Sequence, residues 1–131
     1  AIKTLYWGGG EIGAFRQENC EDPCRLQART IPAIGASAVV SRSHLTSETE
    51  HWLSGERVAT MEVAGSSVKF CRIAEGRADL YPRLGPTMEW DIAAGHAILA
   101  GAGGRVETIE GIPLRYGKPN FKNPYFIARG R

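Results

Sequence analysis

The chain has 131 residues, of which 43% are hydrophobic and 23% are charged, and this composition predicts one globular domain over residues 1–131. Its 16 basic and 14 acidic residues give a net charge of +2 and are spread along the sequence, which excludes the basic stripe typical of proteins that bind nucleic-acid polymers. No run approaches the roughly 20 apolar residues needed to span a membrane, and residues 1–6 do not resemble a signal peptide. We therefore predict a soluble, cytoplasmic protein.

Short strands and helices alternate along the chain. A strand at residues 2–7 is predicted to enter a turn of glycines 8–10. The remaining predicted strands cover residues 14–17, 26–29, 38–40, 58–63, 78–84, 106–109 and 113–116. The predicted helices cover residues 47–53 with a cap at Thr46 or Ser47, residues 65–76, and residues 89–99 before the glycines at 101, 103 and 104.

This alternation predicts an α/β fold, namely a layered mixed β-sheet with flanking helices. The closely spaced early strands indicate that part of the sheet is antiparallel. Cys20, Cys24 and Cys71 are an odd number of cysteines without a nearby His or a second pair, which favours reduced thiols over a zinc site.

The first candidate for chemistry is Asp91, in the predicted first turn of the Ala-rich helix. A carboxylate at this position stabilises the positive end of the helix dipole, and from the residues alone this structural role is the favoured interpretation. The same carboxylate could also bind Mg²⁺, which prefers oxygen ligands.

A second candidate is the segment Gly65, Ser66, Ser67 and Lys69, in which small residues open a predicted helix. Such a helix start can bind an anion through its free N–H groups, or Ser66 can simply cap the helix. The residues themselves leave these two interpretations open.

Two further residues could contact a ligand. Arg83 follows the predicted strand between the two candidate helices and could bind a phosphate bidentately. His44 follows the apolar strand at 38–40, and strand ends in α/β proteins often carry ligand contacts. A solvated arginine and a turn-forming histidine are the alternatives.

Together, residues 65–71, 74–83 and 90–95 closely resemble the bacterial CysQ-type 3′(2′),5′-bisphosphate nucleotidases of the inositol-monophosphatase superfamily. The resemblance extends more weakly from Tyr6 to Tyr125, and it implies the carboxy-terminal half of that fold. It also implies that Asp91 is a catalytic residue and Mg²⁺ ligand, that residues 65–69 bind substrate, and that Arg83 and His44 contact it.

The reaction implied by this resemblance is the hydrolysis of 3′-phosphoadenosine 5′-phosphate to AMP and phosphate, a step of sulfur metabolism. Inositol monophosphatases tend to carry a carboxylate where this sequence has Arg83, and a cation beside Lys69 suits a substrate with two phosphates. An inositol monophosphatase-like sugar phosphatase and a non-catalytic anion- or nucleotide-binding module remain the alternatives.

The acidic pair and the Asp-Pro-x-Asp-Gly motif that hold most of the metal in this family do not occur here, and residues 21–25 match the motif only at their first letters. We therefore expect that the metal-binding amino-terminal half is absent and that the chain alone is inactive. We also expect an uncovered apolar interface, and hence self-association or pairing with a partner chain.

Overall fold

The computed structural model describes residues 3–43 and 45–131. Ten strands and three α-helices follow one another along this part of the chain. In chain order they are β1 Thr4–Gly9, β2 Gly13–Glu18, β3 Cys24–Leu26, β4 Ala36–Val40, α1 Ser47–Ser54, β5 Val58–Val63, α2 Val68–Ala74, β6 Leu80–Arg83, β7 Thr87–Met88, α3 Glu89–Gly101, β8 Arg105–Thr108, a 3₁₀ turn Pro119–Phe121, β9 Lys122–Asn123 and β10 Phe126–Arg129.

The larger sheet has five strands in the order β5-β4-β6-β10-β8. Strand β4 pairs in parallel with β5 and β6, whereas β10 pairs antiparallel with β6 and β8. Helix α1 connects β4 to β5 and helix α2 connects β5 to β6. The predicted mixed sheet with flanking helices is therefore confirmed.

Alternate residues of the central strands point to opposite faces of this sheet, because successive side chains in a strand do so. Val39, Tyr81 and Phe126 pack with α2 and α3 on one face, while Leu80 and Ile127 join Leu53 of α1 on the other. Both faces are thus covered, and α2 and α3 form one layer beneath the sheet.

A second sheet, β1-β2-β3, is antiparallel and packs against the opposite side of α3. Gly101 permits this contact, because a Cβ at this position would lie 2.5 Å from the Gly13 carbonyl oxygen. The molecule therefore consists of four layers, with α2 and α3 between two sheets.

Several predicted boundaries were wrong. The strand predicted at residues 26–29 is Cys24–Leu26, because the Ala28 N–H donates to the Ala102 carbonyl instead of a neighbouring strand. Residues 113–116 make only a bridge at Pro113. Strand Phe126–Arg129, which occupies an interior position in the larger sheet, was missed because four residues carry little periodic signal.

The charged side chains near the C-terminal end of α2 are paired. The Asp79 carboxylate is fully buried and accepts two hydrogen bonds from the Arg29 guanidinium, at 2.9 and 3.0 Å, and one from the Ser37 N–H at 2.7 Å. This network connects the start of β6 to β4 and to the loop after β3.

No helix in residues 3–43 and 45–131 combines the length and the hydropathy needed to cross a membrane. Cys20 and Cys24 are exposed and Cys71 is buried, and none of the three forms a disulfide. Burial raises the pKa of the Cys71 thiol to about 11, which keeps this thiol protonated at neutral pH.

Candidate functional site

A polar cleft of about 260 Å³ lies where α2, β6 and the start of α3 meet. Its walls include five of the seven predicted site residues, namely Ser66, Ser67, Lys69, Arg83 and Asp91, together with Phe70, Tyr81, Thr87 and Ile92. Gly65 is exposed beside the cleft but does not line it, and His44 lies outside the described residues. We call this feature the polar cleft.

The loop that enters α2 has an unusual backbone at the edge of the polar cleft. Ser66 has a φ of 53°, in the left-handed region that costs a non-glycine residue roughly 1–2 kcal/mol. Ser67 is the N-cap and makes no side-chain capping bond, so the alternative of capping by Ser66 is wrong. Because α2 has only seven residues, its dipole is small and anion affinity must come chiefly from charged side chains.

Lys69 is 2% exposed, yet its ammonium group lines the polar cleft. Its Nζ donates to the carbonyl oxygens of Ala64 at 3.2 Å and Ser66 at 2.8 Å, which explains the backbone turn at Ser66. Burial, and secondarily the charge of Arg83, lower the Lys69 pKa to about 8. The lysine thus makes two hydrogen bonds to backbone carbonyls, and its third N–H has no hydrogen-bond acceptor among the described residues.

Arg83 ends β6 and is half-buried beside the polar cleft. One of its Nη groups donates to the Pro86 carbonyl at 3.2 Å, and its Nε is buried without a hydrogen-bond partner in the described chain. Neither Arg83 nor Lys69 forms an ion pair with a carboxylate of residues 3–43 or 45–131. Two uncompensated cations therefore face one cleft.

Asp91 is exposed in the first turn of α3 and lines the polar cleft. Its Oδ2 accepts the Met88 backbone N–H at 2.8 Å, as expected of an acidic residue at the third position of a helix. The second carboxylate oxygen makes no hydrogen bond within the described residues. The helix-stabilising role predicted for Asp91 is thus present, with one oxygen left for a ligand.

Close packing of α2 on α3 sets the positions of the two walls. A Cβ at Gly95 would lie 2.5 Å from the Phe70 ring, so only glycine allows this approach. Phe70 follows Lys69 directly, and Gly95 is one turn after Asp91. Gly95 therefore sets the distance between α2, which carries Lys69, and α3, which carries Asp91.

Thr87 and Tyr81 line the polar cleft and were not predicted as site residues. The Lys69 Nζ lies 4.9 Å from the centre of the Tyr81 ring, and burial raises the Tyr81 pKa. Thr87 belongs to β7, whose partner strand β9 begins 35 residues later in the sequence. Thr87 lies four residues after Arg83 and four before Asp91, so its place between two predicted site residues was the available signal.

A divalent metal would find few ligands here. No group of three Asp, Glu, His or Cys side chains in residues 3–43 and 45–131 is placed to hold an ion, whereas Mg²⁺ takes six oxygen ligands, several of them commonly water. Asp91 would supply one of these. The described residues by themselves therefore do not constitute a Mg²⁺ site.

A larger open cavity of about 500 Å³ lies at the other end of α3, between Arg25, Ala102 and Arg131. It contains none of the predicted site residues and no carboxylate side chain. The polar cleft is smaller but is the one that combines cations, hydroxyl groups and an acid, so it is the candidate functional site.

Sequence comparison finds a match of the inositol monophosphatase family profile to residues 2–125. The 3′(2′),5′-bisphosphate nucleotidase CysQ of Escherichia coli K12 is 50% identical over 95% of this chain and 50% of its own length. The chain thus spans about half the length of the curated relatives it matches. The resemblance noted from three short segments is confirmed.

Structural comparison gives the same result. CysQ from Bacteroides thetaiotaomicron, described as a bacterial member of the inositol monophosphatase family, superposes with a TM-score of 0.83 at 38% identity, covering 98% of this chain and 54% of that protein. SuhB of Mycobacterium tuberculosis superposes with a TM-score of 0.69 at 23% identity over 97% of this chain and 49% of its own. The second match, given its low identity, shows the fold alone.

Proposed function

Because the chain belongs to the inositol monophosphatase family, we propose that it forms the substrate-binding part of a 3′(2′),5′-bisphosphate nucleotidase that converts 3′-phosphoadenosine 5′-phosphate to AMP and phosphate. Relatives that are 50% identical carry that enzyme name. We further propose a place in sulfur metabolism and in the cytoplasm, as expected from the sequence.

The observation that carries this proposal is the charge distribution in the polar cleft. Lys69 on α2 and Arg83 at the end of β6 have no carboxylate partners among the described residues, and they line the polar cleft together with Asp91 at the start of α3. A bisphosphate has one phosphate to bind to the two cations, while its second phosphate would lie near Asp91, where a bound Mg²⁺ would offset the repulsion between the two negative groups. Arg83, with its planar set of N–H donors, suits a phosphate better than a sugar hydroxyl, which disfavours a sugar phosphatase.

We propose Mg²⁺ dependence for the complete enzyme, with Asp91 as both a metal ligand and a catalytic residue. When bound, Mg²⁺ would neutralise phosphate charge and activate water. Since Asp91 is one carboxylate and Mg²⁺ needs several oxygen ligands, we expect no measurable phosphate release by the 131-residue chain alone. Mg²⁺-dependent release from 3′-phosphoadenosine 5′-phosphate, lost in Asp91→Asn, would contradict this expectation.

We also propose that the chain self-associates or pairs with a second chain. Large apolar side chains are exposed on the β1–β2 hairpin, at Leu5 and Ile12, and on the edge strand β5, at Met61 and Val63. Exposed apolar surface next to unpaired strand edges favours association. Light scattering across a wide concentration range tests this proposal, and a monomer at all concentrations would count against it.

Titration calorimetry with AMP in the absence of Mg²⁺ tests the main proposal. Binding would support a nucleotide site independent of metal, and we expect Lys69→Met to weaken it about tenfold or more because a hydrogen bond to a charged group is lost. Lys3→Met is the matched control, since Lys3 is exposed and away from the polar cleft. His44→Ala tests the remaining predicted contact.

Three results would change the proposal. If the chain binds neither AMP nor phosphate, it has the fold of the family but no functional nucleotide-binding site. Tighter binding of inositol monophosphate than of AMP would favour the sugar-phosphatase alternative. Binding of AMP by a complete enzyme that hydrolyses no bisphosphate would leave a non-catalytic nucleotide-binding module.

A further inference from the structure

The two-stranded sheet at the rim of the polar cleft contains a polar pair, Thr87 and Asn123. The two residues are directly opposite in the antiparallel pairing of β7 and β9. The Asn123 Nδ2 donates to the Thr87 Oγ1 at 3.1 Å. Asn123 is only 9% exposed, so this amide is fixed by its surroundings.

The donor and acceptor roles in this pair follow from the chemistry of the groups. An amide nitrogen can only donate, so the threonine oxygen accepts, and the single hydroxyl hydrogen of Thr87 must point elsewhere. No acceptor for it occurs among the described residues. Since the Thr87 side chain lines the polar cleft, that hydrogen is available to a ligand there.

A ligand for such a donor must offer an acceptor. A phosphate offers several acceptor oxygens and carries the negative charge that Lys69 and Arg83 attract, whereas a sugar hydroxyl can accept a hydrogen bond but carries no charge. Lys69 and Arg83 line the same polar cleft and are donors without carboxylate partners. The hydroxyl of Thr87 therefore adds a neutral donor to the two charged ones.

We propose that Thr87 is a substrate-binding residue that donates a hydrogen bond to a phosphate oxygen, and that Asn123 is a positioning residue that orients its hydroxyl group. This inference rests on the proposed function, because it names a further contact of the same cleft. The Nδ2 of Asn123 makes the contact with Thr87, while its Oδ1 is buried without a hydrogen-bond partner in the described chain.

Calorimetric titration of the full 131-residue chain with AMP and, separately, with inorganic phosphate tests this assignment. We expect Thr87→Val, which has nearly the same shape, to weaken both ligands about tenfold. Thr87→Ser keeps the hydroxyl and should stay within about twofold of the wild type. Thermal unfolding of each variant verifies that the fold is intact.

A double-mutant cycle separates positioning from a structural role. Asn123→Ala should weaken phosphate binding about threefold in the wild-type background and should have no further effect in the Thr87→Val background, since two residues that act through one bond are not additive. Equal losses in both backgrounds would overturn the role of Asn123.

Other outcomes are equally decisive. Wild-type affinity in Thr87→Val would overturn the assignment of Thr87 while leaving the proposed function in place. A loss for AMP without a loss for inorganic phosphate would show that the hydroxyl contacts the nucleoside, which also overturns it. If the wild type binds neither ligand, the proposed function fails and this inference fails with it.

Discussion

At the C-terminal end of helix α2 a buried carboxylate is surrounded by cations, whereas at its N-terminal end a buried cation has no carboxylate partner. Glu75 accepts a hydrogen bond from the Tyr6 hydroxyl, and its carboxylate oxygens lie 3.4, 3.6 and 3.5 Å from the guanidinium nitrogens of Arg16, Arg72 and Arg77. These three contacts are charge–charge contacts, since the Oε2 of Glu75 has no hydrogen-bond partner within the described residues. Lys69, six residues earlier, has only backbone carbonyls as acceptors within the described part of the chain.

This difference distinguishes structural charges from functional ones. A buried charge is costly unless it is compensated, so the network around Glu75 and the Asp79–Arg29 pair read as parts of the scaffold. Lys69 and Arg83 keep uncompensated charge at a surface cleft, which costs stability and is retained where a ligand supplies the missing charge. Variants of Asp79, Lys69 and Asp91 test this distinction, and Gly95→Ala tests the helix packing next to the polar cleft.

Asp79→Ala should have the largest effect. It removes the hydrogen-bond partner of the Ser37 N–H and of Arg29. We expect the free energy of unfolding to fall by about 2–4 kcal/mol, because the Ser37 N–H loses its acceptor while the Arg29 side chain, which is 39% exposed, can be rehydrated. Urea-induced unfolding measures this change. Arg105→Met, which breaks a surface ion pair with Glu107, is the control and should lower the free energy of unfolding by about 1 kcal/mol or less. Equal losses in the two variants would mean that the buried ion pair stabilises the fold no more than the surface pair.

Gly95→Ala should lower the free energy of unfolding by about 1–3 kcal/mol, because the added methyl group overlaps the Phe70 ring. It should also weaken AMP binding, since it forces apart the two walls of the polar cleft. Gly10→Ala meets no atom within 4 Å and serves as the control in urea unfolding and calorimetry. An unchanged stability of Gly95→Ala would mean that the helices are not held at this contact.

The affinity for AMP should depend on the protonation of Lys69. Burial lowers its pKa to about 8, and only the protonated form attracts a phosphate, so affinity should fall about tenfold between about pH 7 and about pH 9. Lys69→Met should remove this pH dependence, as measured by calorimetry across that range. A persistent tenfold fall in the variant would assign the dependence to another group.

The lowered pKa of Lys69 also affects the free energy of unfolding, which should rise with pH whereas the affinity for AMP falls. The unfolded lysine binds its proton up to about pH 10.5, whereas the folded one loses it above about 8, so the unfolded state binds more protons between these values. The free energy of unfolding contributed by Lys69 should therefore rise with pH in this window.

Asp91→Asn should have the smallest effect on stability, a loss of about 0.5 kcal/mol, because the side chain is exposed and an amide oxygen can still accept the Met88 N–H. Without Mg²⁺, AMP binding should not weaken, since a negative charge near the phosphate is removed. A loss above about 2 kcal/mol in urea unfolding would place Asp91 with the scaffold charges.

Much of the fold and site could be predicted from the sequence. The cap at Thr46, whose Oγ1 accepts the Thr49 N–H at 3.2 Å, and the Ala-rich helix that carries Asp91 follow from local preferences. Lys69, Arg83 and Asp91 were identified from their residue types and their resemblance to one family. His44 stays a prediction.

The remaining features depend on contacts between distant segments. The lowered pKa of Lys69 results from its burial beneath Tyr81 and its nearness to Arg83, which no local pattern encodes. Thr87 enters the site through the pairing of β7 with β9, and β10 is a strand because β6 and β8 flank it.

By itself, the sequence determined which residues could carry charge to a phosphate and which family they belong to, since side-chain chemistry and short motifs are local properties. Only the tertiary structure decided that the carboxylate at one end of α2 lies near cations, whereas the lysine at the other end has no carboxylate partner among the described residues. Burial and pairing depend on which segments meet in space, and for Lys69 those segments are the loop after β5 and the strand β6.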